Sequence, residues 1–171
     1  MKKAKYYLNL KARDNARTPM QWNSTANGGF CPAGVKPWMR VNDDYPTVNA
    51  ELQTSAGKAN KRSMLVSAYR FWQAAIALRK KHTDLFVYGD FVIENITQPN
   101  VFAFRRVSET CHSITIVNFS KEETTFTFDE GQGVKEWAMG SYDNLSIEKE
   151  RSGTIKLLPW EALIGVVGKD A

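Results

Sequence analysis

The sequence predicts an α+β chain in which a long irregular loop and one long helix precede an antiparallel β-sandwich. Three observations carry this reading. Between Asp14 and Asn60 the apolar residues follow neither a helical nor a strand period, whereas over residues 62–82 they repeat at helical spacing. After Leu85 the period changes to two and is broken repeatedly by turn residues. Five Trp, six Tyr and nine Phe among 171 residues are enough to build a core, which excludes a disordered chain. No apolar run approaches the ~20 residues of a membrane-spanning helix.

Residues 1–11 predict a short helix with Tyr6, Tyr7 and Leu10 on one side. The loop that follows holds Pro19, Pro32, Pro37 and Pro46, four of the six prolines, and the turn pairs Asn27-Gly28 and Gly28-Gly29. It also carries Trp22, Phe30, Trp38 and Tyr45, so it is no solvated linker. A loop of this length inside a domain is usually functional. In the helix over 62–82, Leu65, Tyr69, Trp72, Ile76 and Arg79 form one stripe, flanked by Ala68, Phe71, Ala75 and Leu78. So broad an apolar face predicts burial against a substantial surface. Arg79, Lys80, Lys81 and His82 crowd its C-terminus, where the helix dipole favours positive charge.

Seven strands are expected beyond the helix: residues 86–93, 101–107, 113–119, 124–128, 135–139, 154–158 and 162–167. Turn signals at Gln98-Pro99-Asn100, Asp129-Glu130-Gly131, Tyr142-Asp143-Asn144 and Ser152-Gly153 separate several of them. Short strands punctuated this way suggest a sandwich.

The formal charge of +5 is unevenly spread. Residues 1–20 carry six bases and one acid, 21–84 nine bases and four acids, and 85–171 eight bases and thirteen acids. A nucleic-acid module sets its basic face beside stacking aromatics, but here the strand-rich half is acidic. Neither nucleic acid nor membrane is expected as a partner. Cys31 and Cys111, eighty positions apart without a CxxC, read as free thiols of a reducing compartment, which gives a cytoplasmic location. The four sequons, at Asn23, Asn95, Asn118 and Asn144, then have no role.

No nucleophile elbow, HExxH, Walker loop or GxGxxG is present. His82 reads as a helix-terminal cation. His112 and Cys111 are neighbours on a strand and so point to opposite faces, which excludes a nucleophilic pair. Glycoside chemistry needs two carboxylates in one cleft, but Asp43-Asp44 and Glu122-Glu123 read as solvated turn acids. No catalytic residue, cofactor or metal is assigned. The informative stretch is Arg13-Asp14-Asn15-Ala16-Arg17-Thr18-Pro19-Met20-Gln21-Trp22. Pro19 pushes Thr18 out of helical geometry, and the forked guanidinium groups of Arg13 and Arg17 suit carboxylates. By residue chemistry alone this is a rigid polar turn that braces a neighbouring element.

RDNARTPMQW resembles a signature of the α-glucosidases of the α-amylase superfamily, a group of maltases, oligo-1,6-glucosidases and sucrose isomerases. The similarity continues through Asn27-Gly28-Gly29-Phe30, Lys36-Pro37-Trp38, Val41-Asn42, Val48-Asn49 and Ile76-Ala77-Leu78-Arg79-Lys80. It extends to Val87-Tyr88-Gly89-Asp90, Val117-Asn118-Phe119-Ser120 and Leu158-Pro159-Trp160-Glu161-Ala162, in a style similar to fungal maltases.

The resemblance implies that residues 1–84 are the C-terminal remnant of a catalytic (β/α)₈ barrel. They would supply its last loop and last helix, with 85–171 as the sandwich domain behind it. Barrel active sites lie on loops at the C-terminal ends of the strands, so the loop would line the sugar pocket. Arg13 would contact the terminal glucose, supported by Asp14, Asn15, Arg17 and Gln21. The family's nucleophile, general acid and third aspartate, and the metal site of some members, come from earlier barrel strands. Where the family usually has an acid after Gln-Trp, this chain has Asn23. The resemblance thus implies the last third of a retaining α-glucosidase acting on maltose-like or sucrose-like substrates and inactive as this piece. The alternative is a stand-alone carbohydrate-binding or structural sandwich module, with Trp137 or Trp160 as an exposed aromatic.

Overall fold

A computed structural model of the chain describes residues 2–11, 16–55, 67–94, 98–142 and 150–168. The chain divides into two compact units, Met1–Lys58 and Ala59–Ala171.

The first unit opens with α1 (Lys2–Lys11), the short helix expected from its sequence. Its exposed Tyr6 and Tyr7 rings meet edge to face with centroids 5.5 Å apart. The segment that follows is mostly turns. Asn27, Gly28 and Gly29 all lie in the left-handed region, with φ of 55°, 64° and 68°. This is the conformation that Asn-Gly and Gly-Gly pairs adopt at least cost. One element was not legible as a period: α2 (Ala50–Ser55), whose six residues are too few to show one. Its signal is the cap. The buried Asn49 accepts the Leu52 N–H at its Oδ1 (2.9 Å) and donates from Nδ2 to the Tyr45 carbonyl (2.8 Å).

In the second unit, α3 (Ala68–Lys81) starts later than its periodicity suggests. Ser67 is extended, with φ −121°, and its hydroxyl caps the helix by accepting the Arg70 N–H at 3.1 Å. Residues 62–66 of the expected helix, Leu65 included, lie outside the described residues. The apolar stripe is present but open: α3 buries none of its residues, and Trp72 is 65% exposed. The surface that stripe calls for is therefore not supplied by the described residues of this chain. A short α4 (Thr83–Phe86) follows, seating the fully buried Leu85. The expectation of strand from residue 86 is corrected here. Phe86 ends α4, and Val87–Gly89 form its exit, held by Arg79 Nη1 to the Phe86 carbonyl (2.9 Å) and Arg106 Nη2 to the Val87 carbonyl (3.1 Å).

The strands are β1 (Asp90–Glu94), β2 (Val101–Val107), β3 (Cys111–Asn118), β4 (Thr124–Thr127), β5 (Glu136–Gly140), β6 (Thr154–Leu157) and β7 (Ala162–Gly168). All pairings are antiparallel, in a five-stranded sheet of order β1-β2-β3-β7-β5 and a two-stranded sheet β4-β6. Both sheets feed one buried cluster: Ile114, Ile116 and Leu163 from the larger, Phe126, Ile155 and Leu157 from the smaller. Trp137 is in this core, its indole N–H donating to the Glu150 carbonyl at 3.3 Å. Gly165 lies opposite both Ile114 and Trp137. A Cβ there would run into Val134 and come within 3.2 Å of Trp137. A part-buried ion pair, Arg105 Nε to Glu94 Oε1 at 2.7 Å, links β2 to β1, and Arg105 also donates to Gln132.

Candidate functional site

Of the residues singled out for the sugar pocket, Arg13, Asp14 and Asn15 lie outside the described residues. Arg17 is exposed, and Pro19 after it is buried. The structure shows most at Gln21. Its Nε2 donates to Asp44 Oδ1 (3.1 Å) and to the Val48 carbonyl (2.6 Å), while its Oε1 accepts from Asn42 Nδ2 (3.2 Å). Both amide hydrogens are committed to the loop itself, so this side chain braces rather than offers a donor to a ligand.

The backbone around Gln21 is equally tied. The Gly28 carbonyl accepts the N–H groups of Trp22 (2.7 Å) and Asn23 (3.1 Å), closing residues 22–28 into a tight loop. Gly28 is buried there, and a Cβ on it would press against Val41 at 3.3 Å. Asn23 Oδ1 accepts from the Thr25 N–H (3.0 Å) and the Thr25 hydroxyl (2.6 Å). The position where the family usually has an acid is thus filled by a turn-forming side chain.

The first turn of a helix leaves its N–H groups without partners inside the helix. In α2 those groups are met from outside. Ala50 N–H donates to the Gln21 carbonyl and Glu51 N–H to the Trp22 carbonyl, each at 2.9 Å, with Leu52 N–H on Asn49. The Gln21-Trp22 pair is therefore strung across the start of α2.

Beside this knot, Asn27 Nδ2 closes the next loop by donating to the carbonyls of Pro32 (3.0 Å) and Val35 (2.9 Å). An open cavity of about 350 Å³ lies among Asn27, Pro37, Met39, Val41 and Tyr45, with Lys36 and Arg40 also lining it. Arg40 is paired with Asp43 at 2.6 Å, both exposed. Asp43 and Asp44 thus act as turn acids, one paired with Arg40 and the other fixing Gln21. Among the described residues no group of three or more His, Cys, Asp or Glu is arranged to hold a metal ion. Asn42, Asp44 and Asn49 belong to this arrangement, and sequence reasoning missed their roles. Their signal was the density of Asn and Asp around Tyr45, which marks a hydrogen-bonded turn.

A second polar knot ties two further stretches of the resemblance together. The fully buried Asn118 donates from Nδ2 to the carbonyls of Glu122 (2.8 Å) and Leu158 (2.9 Å). Its Oδ1 accepts from the Ser120 N–H (3.0 Å) and hydroxyl (2.8 Å). The buried Glu161 accepts the Leu158 N–H at 2.7 Å, and its carbonyl takes the Asn118 N–H at 2.8 Å. The sequon at Asn118 is closed by this burial.

With this geometry in hand, the sequence model for the alpha amylase catalytic domain matches residues 1–89. The chain belongs to the alpha-amylase family.

The match ends one residue before β1 opens. Among relatives of this alpha-amylase family chain, an alpha-glucosidase of Schizosaccharomyces pombe is 44% identical over 119 residues, 70% of this chain and 19% of the relative. An oligo-1,6-glucosidase of Parageobacillus thermoglucosidasius is 34% identical over 158 residues, 90% of this chain and 25% of the relative. A solved structure of trehalulose synthase MutB in complex with Tris superposes with a TM-score of 0.76 at 29% identity, over 91% of this chain and 26% of that one. Isomaltulose synthase PalI from Klebsiella gives 0.75 at 28% identity, over 90% of this chain and 25% of that one. The chain thus spans about a quarter or less of the length of these proteins. No helix among the described residues is long and apolar enough to cross a membrane.

Proposed function

We propose that this chain is the C-terminal portion of a retaining α-glucosidase acting on maltose, sucrose or related α-glucosides. The observation that carries the reading is the knot around Gln21. RDNARTPMQW is fastened through its last two residues to the 42–51 segment, inside the stretch that matches the family's catalytic domain. A sugar-binding arginine needs a loop fixed to a fraction of an ångström, because misplacement of a binding group costs rate steeply. Three side-chain and two backbone hydrogen bonds between Gln21-Trp22 and that segment provide such an anchor.

In this reading Arg13 donates to hydroxyls of the terminal glucose, and Asp14, Asn15, Arg17 and Gln21 support it. The two carboxylates of the retaining reaction come from elsewhere in the whole enzyme. One forms the glycosyl-enzyme, and the other gives a proton to the leaving oxygen and then takes one from water. Residues 1–84 close the catalytic barrel, and 85–171 form the sandwich domain that follows in sequence. The open stripe of α3 supports this division, since a barrel-closing helix has a face meant for neighbouring elements. So do the family match ending at residue 89 and the single core shared by both sheets. Cys31 and Cys111 are free thiols, in keeping with a cytoplasmic enzyme.

The test is a graft in which this chain replaces the matching stretch of the S. pombe alpha-glucosidase. The graft should hydrolyse a chromogenic α-glucoside, and Arg13→Ala within it should lower kcat/KM by about a hundredfold or more. A folded graft whose turnover ignores Arg13 would refute the assignment.

A further inference from the structure

Asn27 and Gly28 form a dipeptide prone to spontaneous deamidation, because the glycine nitrogen has no side chain beside it to obstruct attack on the asparagine amide. In that reaction hydroxide takes the Gly28 amide proton, and the nitrogen bonds to Asn27 Cγ. The Cγ–Nδ2 bond breaks, and Nδ2 leaves as ammonia with a proton from water, which restores the hydroxide. Water then opens the cyclic imide at either carbonyl and gives aspartate or isoaspartate.

The closed loop opposes each step. The Gly28 N–H donates to the Thr25 carbonyl at 2.9 Å, which holds the proton that must leave. Asn27 Nδ2 donates to the carbonyls of Pro32 (3.0 Å) and Val35 (2.9 Å), so both hydrogens of the leaving group are engaged and the amide plane is fixed. Asn27 itself is left-handed, with φ 55° and ψ 24°. Ring closure needs the Gly28 nitrogen turned to the Cβ side of Asn27, and at this ψ it points away from that side. The hydrogen-bond partners all lie within residues 25–35 of the first unit, so this closure rests on no surface outside them.

We infer that Asn27 is a latent modification site, protected while the 25–35 loop is closed and converted to aspartate or isoaspartate when the loop opens. Reclosing does not undo the change. A carboxylate at position 27 sets an oxygen against the Pro32 and Val35 carbonyls, where N–H donors stood. Isoaspartate also lengthens the backbone by one carbon, which breaks the register of the 3.1 Å bond from the Phe30 N–H to the Asn27 carbonyl. Each opening of the loop thus carries a risk of a permanent chemical mark. This inference needs no sugar and no catalysis, so it stands apart from the proposed function.

The test is peptide mass spectrometry on the full 171-residue chain held at mildly alkaline pH, in buffer and in guanidinium chloride. Amide exchange at Gly28 and Phe30 is read on the same buffered sample. The tryptic peptide Thr18–Arg40 also contains Asn23, whose following residue Ser24 has a side chain that hinders attack and makes Asn23 the slow internal control. In guanidinium, Asn27 should deamidate as fast as a synthetic peptide of the same sequence. In buffer it should react about tenfold more slowly or less, in step with the protection of its amides. Asn27→Asp should lose amide protection at Phe30 and Val35 while Ile114 and Ile116 of β3 keep theirs. Equal deamidation in buffer and denaturant, whatever the exchange shows, would overturn the protected site. Full protection of Phe30 and Val35 in Asn27→Asp would overturn the one-way step. Neither result bears on the graft assay, so the two readings fail separately.

Discussion

Gln21 and Asp44, twenty-three positions apart, are joined by a 3.1 Å hydrogen bond from Gln21 Nε2 to Asp44 Oδ1. Around that contact the signature loop becomes a fixed object. Gln21→Ala removes three side-chain hydrogen bonds, each worth about 0.5–1.5 kcal/mol net, with some recovered by water at this half-exposed position. A loss of about 1–2 kcal/mol in denaturant unfolding is expected. Gln21→Glu should cost more, because an oxygen then faces the Asp44 carboxylate and the Val48 carbonyl. Faster amide exchange at Ala50 and Glu51 would locate the damage at the start of α2.

Asn118 is fully buried, and its side chain makes four hydrogen bonds. Asn118→Ala takes one of two donors from each of the Leu158 and Glu122 carbonyls and removes the acceptor of the Ser120 N–H, so four hydrogen bonds of a buried side chain are lost together. A loss of about 2–4 kcal/mol is expected by chemical denaturation. A loss below about 0.5 kcal/mol would show that the knot is ornamental.

Much of the β unit was legible because alternation along a strand and burial of one face are the same fact. In β4 and β6, Phe126, Ile155 and Leu157 point inward between exposed neighbours, which is the pattern their sequence shows. The first strand was misplaced for a local reason: Phe86 and Val87 extend the apolar run, but Leu85 and the Arg79 and Arg106 contacts claim them for the exit of α4. The Gln21 partners were not legible, since no period links position 21 to positions 42, 44 and 48. Trp137 and Trp160 read alike as candidate exposed aromatics, and only their neighbours separate the core indole from the open one.

A Cβ on Gly165 would clash with Val134 and crowd Trp137 at 3.2 Å. Gly165→Ala forces β7 or the Trp137 ring to move, and overpacking of this kind costs about 1–3 kcal/mol. Calorimetry of the variant should show a lowered Tm with the loop of the first unit, followed by amide exchange at Ala50 and Glu51, unaffected. An unchanged Tm would mean that Val134 yields freely.

Trp72 stands on the open face of α3. In this chain, Trp72→Gln should change stability by no more than about 0.5 kcal/mol, as for other exposed positions. In the graft with the S. pombe alpha-glucosidase the same substitution should cost about 2 kcal/mol or more if, as proposed, α3 closes the barrel and its face is covered there. Equal effects in both settings would argue that α3 closes no barrel.

The most direct measurement is the first product of the graft, followed by proton NMR during hydrolysis of an aryl α-glucoside. Steady turnover is expected, with α-glucose appearing before its β-anomer, while this chain alone releases nothing. A well-folded graft that releases no glucose, or one that releases β-glucose first, would contradict it.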